Sequence, residues 1–146
     1  MTYRRVLVAI DDSPAGLGAA QAAIDLAAGW GAEVRAITVL RDHTLARALG
    51  GTAEDAAARV AAGAQSVVGW AADLAASRRV RCTTVVAGGE PFREILAEAD
   101  AWGADLVVMG RSDRRGPSSP YLGSETAHVL EFTELPVLVI PLREEP

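Results

Sequence analysis

The chain has 146 residues, half of them hydrophobic, with no lysine and a formal net charge of −5. Such a length suits one domain, expected to span residues 1–146, with one core and one principal site. No apolar run approaches the ~18 residues that a membrane span needs, the N-terminus lacks the form of a secretory signal, and the acidic balance excludes a general nucleic-acid binder. A cytoplasmic protein with no membrane or nucleic-acid partner is expected.

Tyr3 to Ile10 carries the run VLVAI and ends at Asp11-Asp12-Ser13-Pro14, which reads as a strand running into a helix start. Ser13 is a good N-cap and Pro14 a good first helical residue. Leu17, Ala20, Ile24 and Leu26 to Ala28 recur at helical spacing up to about Trp30, and Gly31 closes the segment. Val34 to Leu40 is the second strand. Thr52-Ala53-Glu54-Asp55 opens a long Ala-rich helix that runs to about Ser77. The third strand is Val80 to Ala87, followed by a Gly88-Gly89-Glu90-Pro91 turn and a helix from Pro91 to Trp102 that Gly103 ends. Asp105 to Met109 is the fourth strand, Ser124 to Thr133 a helix and Pro136 to Ile140 a fifth strand.

Near-continuous apolar strands alternating with helices predict an α/β fold, a single Rossmann-like domain with a five-stranded parallel sheet and helices on both faces. Ligands in such sheets bind beyond the carboxyl ends of the strands. That rule directs attention to Asp11, Val39 to Arg41, Gly88 to Pro91 and the loop after Met109. This loop runs from Gly110 to Gly123-Ser124 at the start of the last helix, where free N–H groups and a glycine suit an anion. The alternative is that both glycines only permit turns.

Several chemistries are excluded. A P-loop needs a lysine, the G-x-G-x-x-G fingerprint is missing after the first strand, where DDSPAG stands, and a receiver-type acidic pocket lacks its further Asp and Lys. A nucleotidyl transferase would need a His-x-Gly-His type motif, which neither His43 nor His128 has; they read as a loop residue and a helix-surface residue. The lone Cys82 reads as a small buried apolar residue. Trp30, Trp70 and Trp102 lie in or at the ends of helices and read as core or interface.

VLVAIDDS, Gly89-Glu90-Pro91, ADLVVMG, Gly123-Ser124 and the closing LPVLVIP, in this order over nearly the whole chain, resemble the universal stress protein family. The family's nucleotide signature is Gly, two residues, Gly, nine residues, Gly, then Ser or Thr. Gly110 and Gly123-Ser124 match it in spacing, and Asp113 stands in place of the second glycine. The resemblance implies a homodimer through the C-terminal strand and a site for an adenine nucleotide, ATP with or without Mg2+. Asp11 would face the nucleoside, the Val39 backbone would contact adenine, and Gly110, Gly123 and Ser124 would hold phosphates. Ala9, Ile10, Met109, Arg111, Ser112, Asp113, Glu125 and Thr126 complete the expected nucleotide-binding set. Asp113 would weaken the phosphate cradle, and Arg111, Arg114 and Arg115 either offset it or form a solvated loop of mixed charge. No catalytic constellation is evident, so at most slow ATP hydrolysis is expected of a regulatory or sensing module. The alternative is a family member that binds no nucleotide and works as a dimeric interaction or scaffold protein.

Overall fold

The computed structural model describes residues 2–11, 13–41, 53–111 and 122–141, without the side chains of 53–57. Its elements in chain order are β1 (Arg5–Ala9), α1 (Pro14–Trp30), β2 (Glu33–Leu40), α2 (Ala53–Ser77), β3 (Cys82–Gly88), α3 (Pro91–Trp102), β4 (Leu106–Gly110), α4 (Ser124–Phe132) and β5 (Val137–Ile140). The five strands form one sheet in the order β3-β2-β1-β4-β5, with every neighbouring pair parallel.

Strand alternation sorts the core into two layers. Val6 and Val8 of β1, Val34 and Ala36 of β2, and Leu106 and Val108 of β4 point to one face, where they meet Ala19, Ala20, Ala23, Ile24 and Ala27 of α1 and Val68, Ala71 and Ala75 of α2. Leu7, Ile37, Val107 and Met109 point to the other, against Ile95 and Ala99 of α3 and Val129 of α4. The alanine stripe of α1 is almost wholly excluded from solvent, and its small side chains let the helix axis lie close over β1 and β4. Burying a side chain the size of Ile24 contributes roughly 1.5–3 kcal/mol.

Punctuation residues behave as the sequence suggested. The Ser13 hydroxyl accepts the Gly16 N–H at 3.1 Å, Pro14 opens α1, and Gly31 closes it in the left-handed region at φ 66°. Gly103 closes α3 at φ 76°.

The differences lie at strand starts. The third strand begins at Cys82, because Val80 is used to close α2: its N–H bonds the Ala75 carbonyl at 2.9 Å and its side chain is buried. β4 begins at Leu106, since the Asp105 carboxylate is occupied with the backbone N–H groups of Arg4 and Arg5 at 2.9 and 3.0 Å. Ile10 leaves the ladder after donating one last bond to the Ile37 carbonyl at 2.9 Å.

The reversal of strand order falls between β1 and β4. The chain leaves β1 for α1 on one face and reaches α4 on the other face after β4. Departing helices on opposite faces leave a crevice above the two strand ends.

Candidate functional site

A cleft of about 760 Å³ occupies this crevice, within the range usual for small-molecule sites. Ala9, Ile10 and Asp11 enter it from β1, Val39, Leu40 and Arg41 from β2, and Met109, Gly110 and Arg111 from β4. Gly123, Ser124, Glu125 and Thr126 enter from the start of α4, and Pro91 and Ile95 from α3. Every expected site residue among the described ones therefore lines one cavity. Ser112 and Asp113 lie outside the described residues, as do Arg114, Arg115 and His43.

Three helices point their N-termini at the cleft, and each N-terminus offers backbone donors that lack partners within the helix. In two of them a side chain accepts a first-turn N–H. In α1, Ser13 caps the first turn, and the Asp11 carboxylate in turn accepts the Ser13 N–H at 3.0 Å and bonds its hydroxyl. Asp11 is thus the turn acid that its position beside the cap suggests, and it also lines the cleft. In α3, the Phe92 N–H donates to the Glu125 carboxylate at 2.9 Å.

The third N-terminus, that of α4, differs. Its N-cap is Gly123, at φ 95° and ψ 139°, with no side chain to accept a bond. This backbone conformation belongs to glycine. The Ala127 N–H donates to the Gly123 carbonyl at 3.0 Å, and the N–H groups of Ser124, Glu125 and Thr126 precede that first helical bond. Their partial positive charge faces the cleft. The Thr126 hydroxyl donates to the Gly110 carbonyl at 3.2 Å and fixes the helix start against β4.

Gly110 has a second reason to be glycine that the sequence did not disclose. A Cβ there would lie 2.6 Å from the Ala15 carbonyl oxygen, so β4 and the first turn of α1 meet backbone to backbone. Gly16 is the counterpart on α1, where a Cβ would lie 2.8 Å from the Asp11 nitrogen and against its carboxylate. These two glycines set the width of the crevice.

The charged rim was missed as a unit. Arg41 pairs with Glu125 and lies 3.6 Å from the Glu90 carboxylate. Because Glu125 also caps α3, one side chain ties the end of β2 to the starts of α3 and α4. Arg41 and Glu90 did belong to the strand ends singled out by the parallel-sheet rule. Nothing in their spacing, however, joins them to Glu125, 84 residues beyond Arg41.

Two expectations change. His128 is not a plain surface residue: it is half-buried, its ring centroid lies 4.8 Å from that of Phe92, and its buried Nδ1 has no hydrogen-bond partner. The packing of α4 on α3 accounts for this. Cys82 is half-buried rather than buried, because β3 is an edge strand. Burial pushes its thiol above the ordinary value, and a backbone hydrogen bond at Ala36 works in the opposite direction.

Trp30 packs at a tilt against Tyr3, ring centroids 5.2 Å apart, Trp102 lies under Arg35 at 4.8 Å, and no tryptophan lines the cleft. Among the described residues no group of three or more His, Cys, Asp or Glu side chains is placed to hold a metal ion, and no helix is long and apolar enough to cross a membrane.

The sequence pattern of the Universal stress protein family matches residues 2–141. The universal stress protein YxiE of Bacillus subtilis is 30% identical, with 94% of this chain and 99% of that protein covered. Among solved structures, hypothetical protein MJ0577 superimposes with a TM-score of 0.83 at 19% identity, covering 99% of this chain and 100% of that one. A universal stress protein in complex with cAMP gives 0.73 at 23% identity, covering 98% and 100%. That from Archaeoglobus fulgidus in complex with dAMP gives 0.69 at 23%, covering 96% and 99%. The strand order, the crevice above β1 and β4 and a match over almost the whole length lead to one assignment: this chain belongs to the universal stress protein family.

Proposed function

We propose that the cleft binds an adenine nucleotide, ATP among the candidates, and that the protein works in the cytoplasm as a nucleotide-sensing module of a stress response. The observation that carries this reading is the first turn of α4. Among the described residues no side chain accepts from its first-turn N–H groups, whereas Ser13 accepts one in α1 and Glu125 one in α3, and it opens through a glycine in a glycine-only conformation. A phosphate would take the donors of Ser124, Glu125 and Thr126. The apolar floor of Ile10, Val39 and Met109 suits a base, and the exposed Asp11 carboxylate suits a ribose hydroxyl. The family members solved with cAMP and dAMP support the same class of ligand.

A homodimer through β5 belongs to the same reading. β5 is an edge strand of sequence VLVI, and an apolar edge left bare invites pairing with another chain.

Isothermal titration of the full chain with AMP, cAMP and ATP, with GMP as the control, tests the nucleotide reading. Saturable binding of an adenine nucleotide at one site per chain, tighter than GMP, is the expected result. A folded protein that binds none of them at millimolar concentration overturns it and leaves a dimeric interaction protein whose glycines serve only turns and packing.

A further inference from the structure

We propose that the Arg41–Glu125–Glu90 network determines how many phosphates the cleft accepts, holding it to nucleotides with a single phosphate. This rests on the adenine-nucleotide reading of the same cleft and narrows it.

The argument starts from charge at the mouth. Among the described lining residues the titratable side chains are Asp11, Arg41, Arg111 and Glu125, two acids against two bases. Glu90 stands just outside and turns toward Arg41 at 3.6 Å. Arg41 is therefore shared between two carboxylates and has little charge left for a ligand. Glu125 occupies the second position of α4, so its backbone N–H is one of the donors offered to a phosphate while its side chain places a negative charge at the same rim.

A monophosphate seated on the first turn of α4 satisfies the free donors and stops there. A triphosphate carries roughly twice the negative charge, and where it runs past Glu125 it meets that carboxylate or pulls Arg41 away from it. The second course costs the Arg41 pairs and leaves two like-charged carboxylates facing a polyphosphate. The carboxylate that repels is also fixed: Glu125 cannot swing aside without uncapping α3, whose Phe92 N–H it accepts at 2.9 Å. Arg41 is about one-third exposed and Glu125 about one-quarter, so water screens the effect without removing it.

The measurement is the ratio of ATP to AMP dissociation constants by titration calorimetry in magnesium-containing buffer, for the full chain and three variants. Glu125→Gln removes the charge and keeps an acceptor for the Phe92 N–H. In wild type AMP binds more tightly than ATP, and Glu125→Gln lowers the ATP/AMP ratio by about tenfold, the scale expected of one partly screened charge. Glu90→Gln, at an exposed N-cap where folding is not at stake, lowers it by a smaller factor, and Arg41→Gln raises it. Wild type that prefers ATP, or a ratio unchanged within about twofold in both glutamate variants, overturns the proposal and leaves nucleotide binding standing. Absence of any nucleotide binding overturns both.

Discussion

A methyl group at Gly110 would sit 2.6 Å from the Ala15 carbonyl oxygen, and one at Gly16 would sit 2.8 Å from the Asp11 nitrogen. At Gly16 the Asp11 carboxylate is closer still, but backbone atoms block both positions, so α1 must move outward for either to fit. Gly110→Ala is expected to cost about 1–3 kcal/mol, the range for overpacking, seen as a lower urea midpoint with an unchanged slope. Gly123 differs, since its demand is conformational: at φ 95° an alanine is strained by about 1–3 kcal/mol whatever space surrounds it. Cys82 adds a pH dependence. Its folded thiol holds the proton to higher pH than the unfolded one does, so its effect on stability is flat below the ordinary thiol range and falls as pH rises through it. Unfolding midpoints are therefore expected to drop above about pH 9, and Cys82→Ala to remove that part of the drop. At this scale the sequence was legible wherever a residue follows directly on a strand end. Asp11, Val39 and Arg41 were singled out by the strand-end rule and Gly123 by the helix start it precedes, whereas the pairing of Arg41 with Glu125 joins positions that only the sheet brings together.

Helices were easier to read than strands, for a physical reason. Prolines and glycines mark helix ends, and Pro14, Gly31, Pro91 and Gly103 stand where α1 and α3 begin and end. A parallel strand has no such marks: Val80 and Asp105 are each as compatible with a strand as with the turn before it, and long-range hydrogen bonds decide. β5 was legible as a strand from LPVLVIP, and its place at an edge follows from the strand order. Leu138 and Ile140 face one core layer and Val137 the other. Val139, half-buried on the same edge, is the position through which a second subunit would be felt. Val139→Lys is expected to shift sedimentation from dimer toward monomer at micromolar concentration. A wild-type chain that is already monomeric there would refute pairing through β5.

At the scale of the molecule, the parallel sheet forces its helices to alternate faces, the reversal between β1 and β4 opens a crevice, and the two glycines at its base let α1 close onto β4 and set its width. An adenine nucleotide that binds only this folded arrangement stabilises it by mass action. At about a hundred times its dissociation constant it contributes roughly 2.7 kcal/mol, which for a chain of this length corresponds to a rise in Tm of roughly 5–10 °C. Added salt is expected to shrink the rise, because backbone donors and screened charges hold the phosphate. Turnover is a separate matter: no acid, base and metal site stand together among the described residues of the cleft, so ATP hydrolysis is expected far below the ~10 s⁻¹ typical of enzymes. The central claim is that the uncapped first turn of α4 is where the nucleotide phosphate sits. Amide chemical shifts of the nitrogen-15-labelled protein, followed through an AMP titration, test it most directly. The account predicts saturable shifts largest at Ser124, Glu125 and Thr126, absent when adenosine replaces AMP. Shifts that saturate elsewhere, or amides at the start of α4 indifferent to AMP, would contradict it.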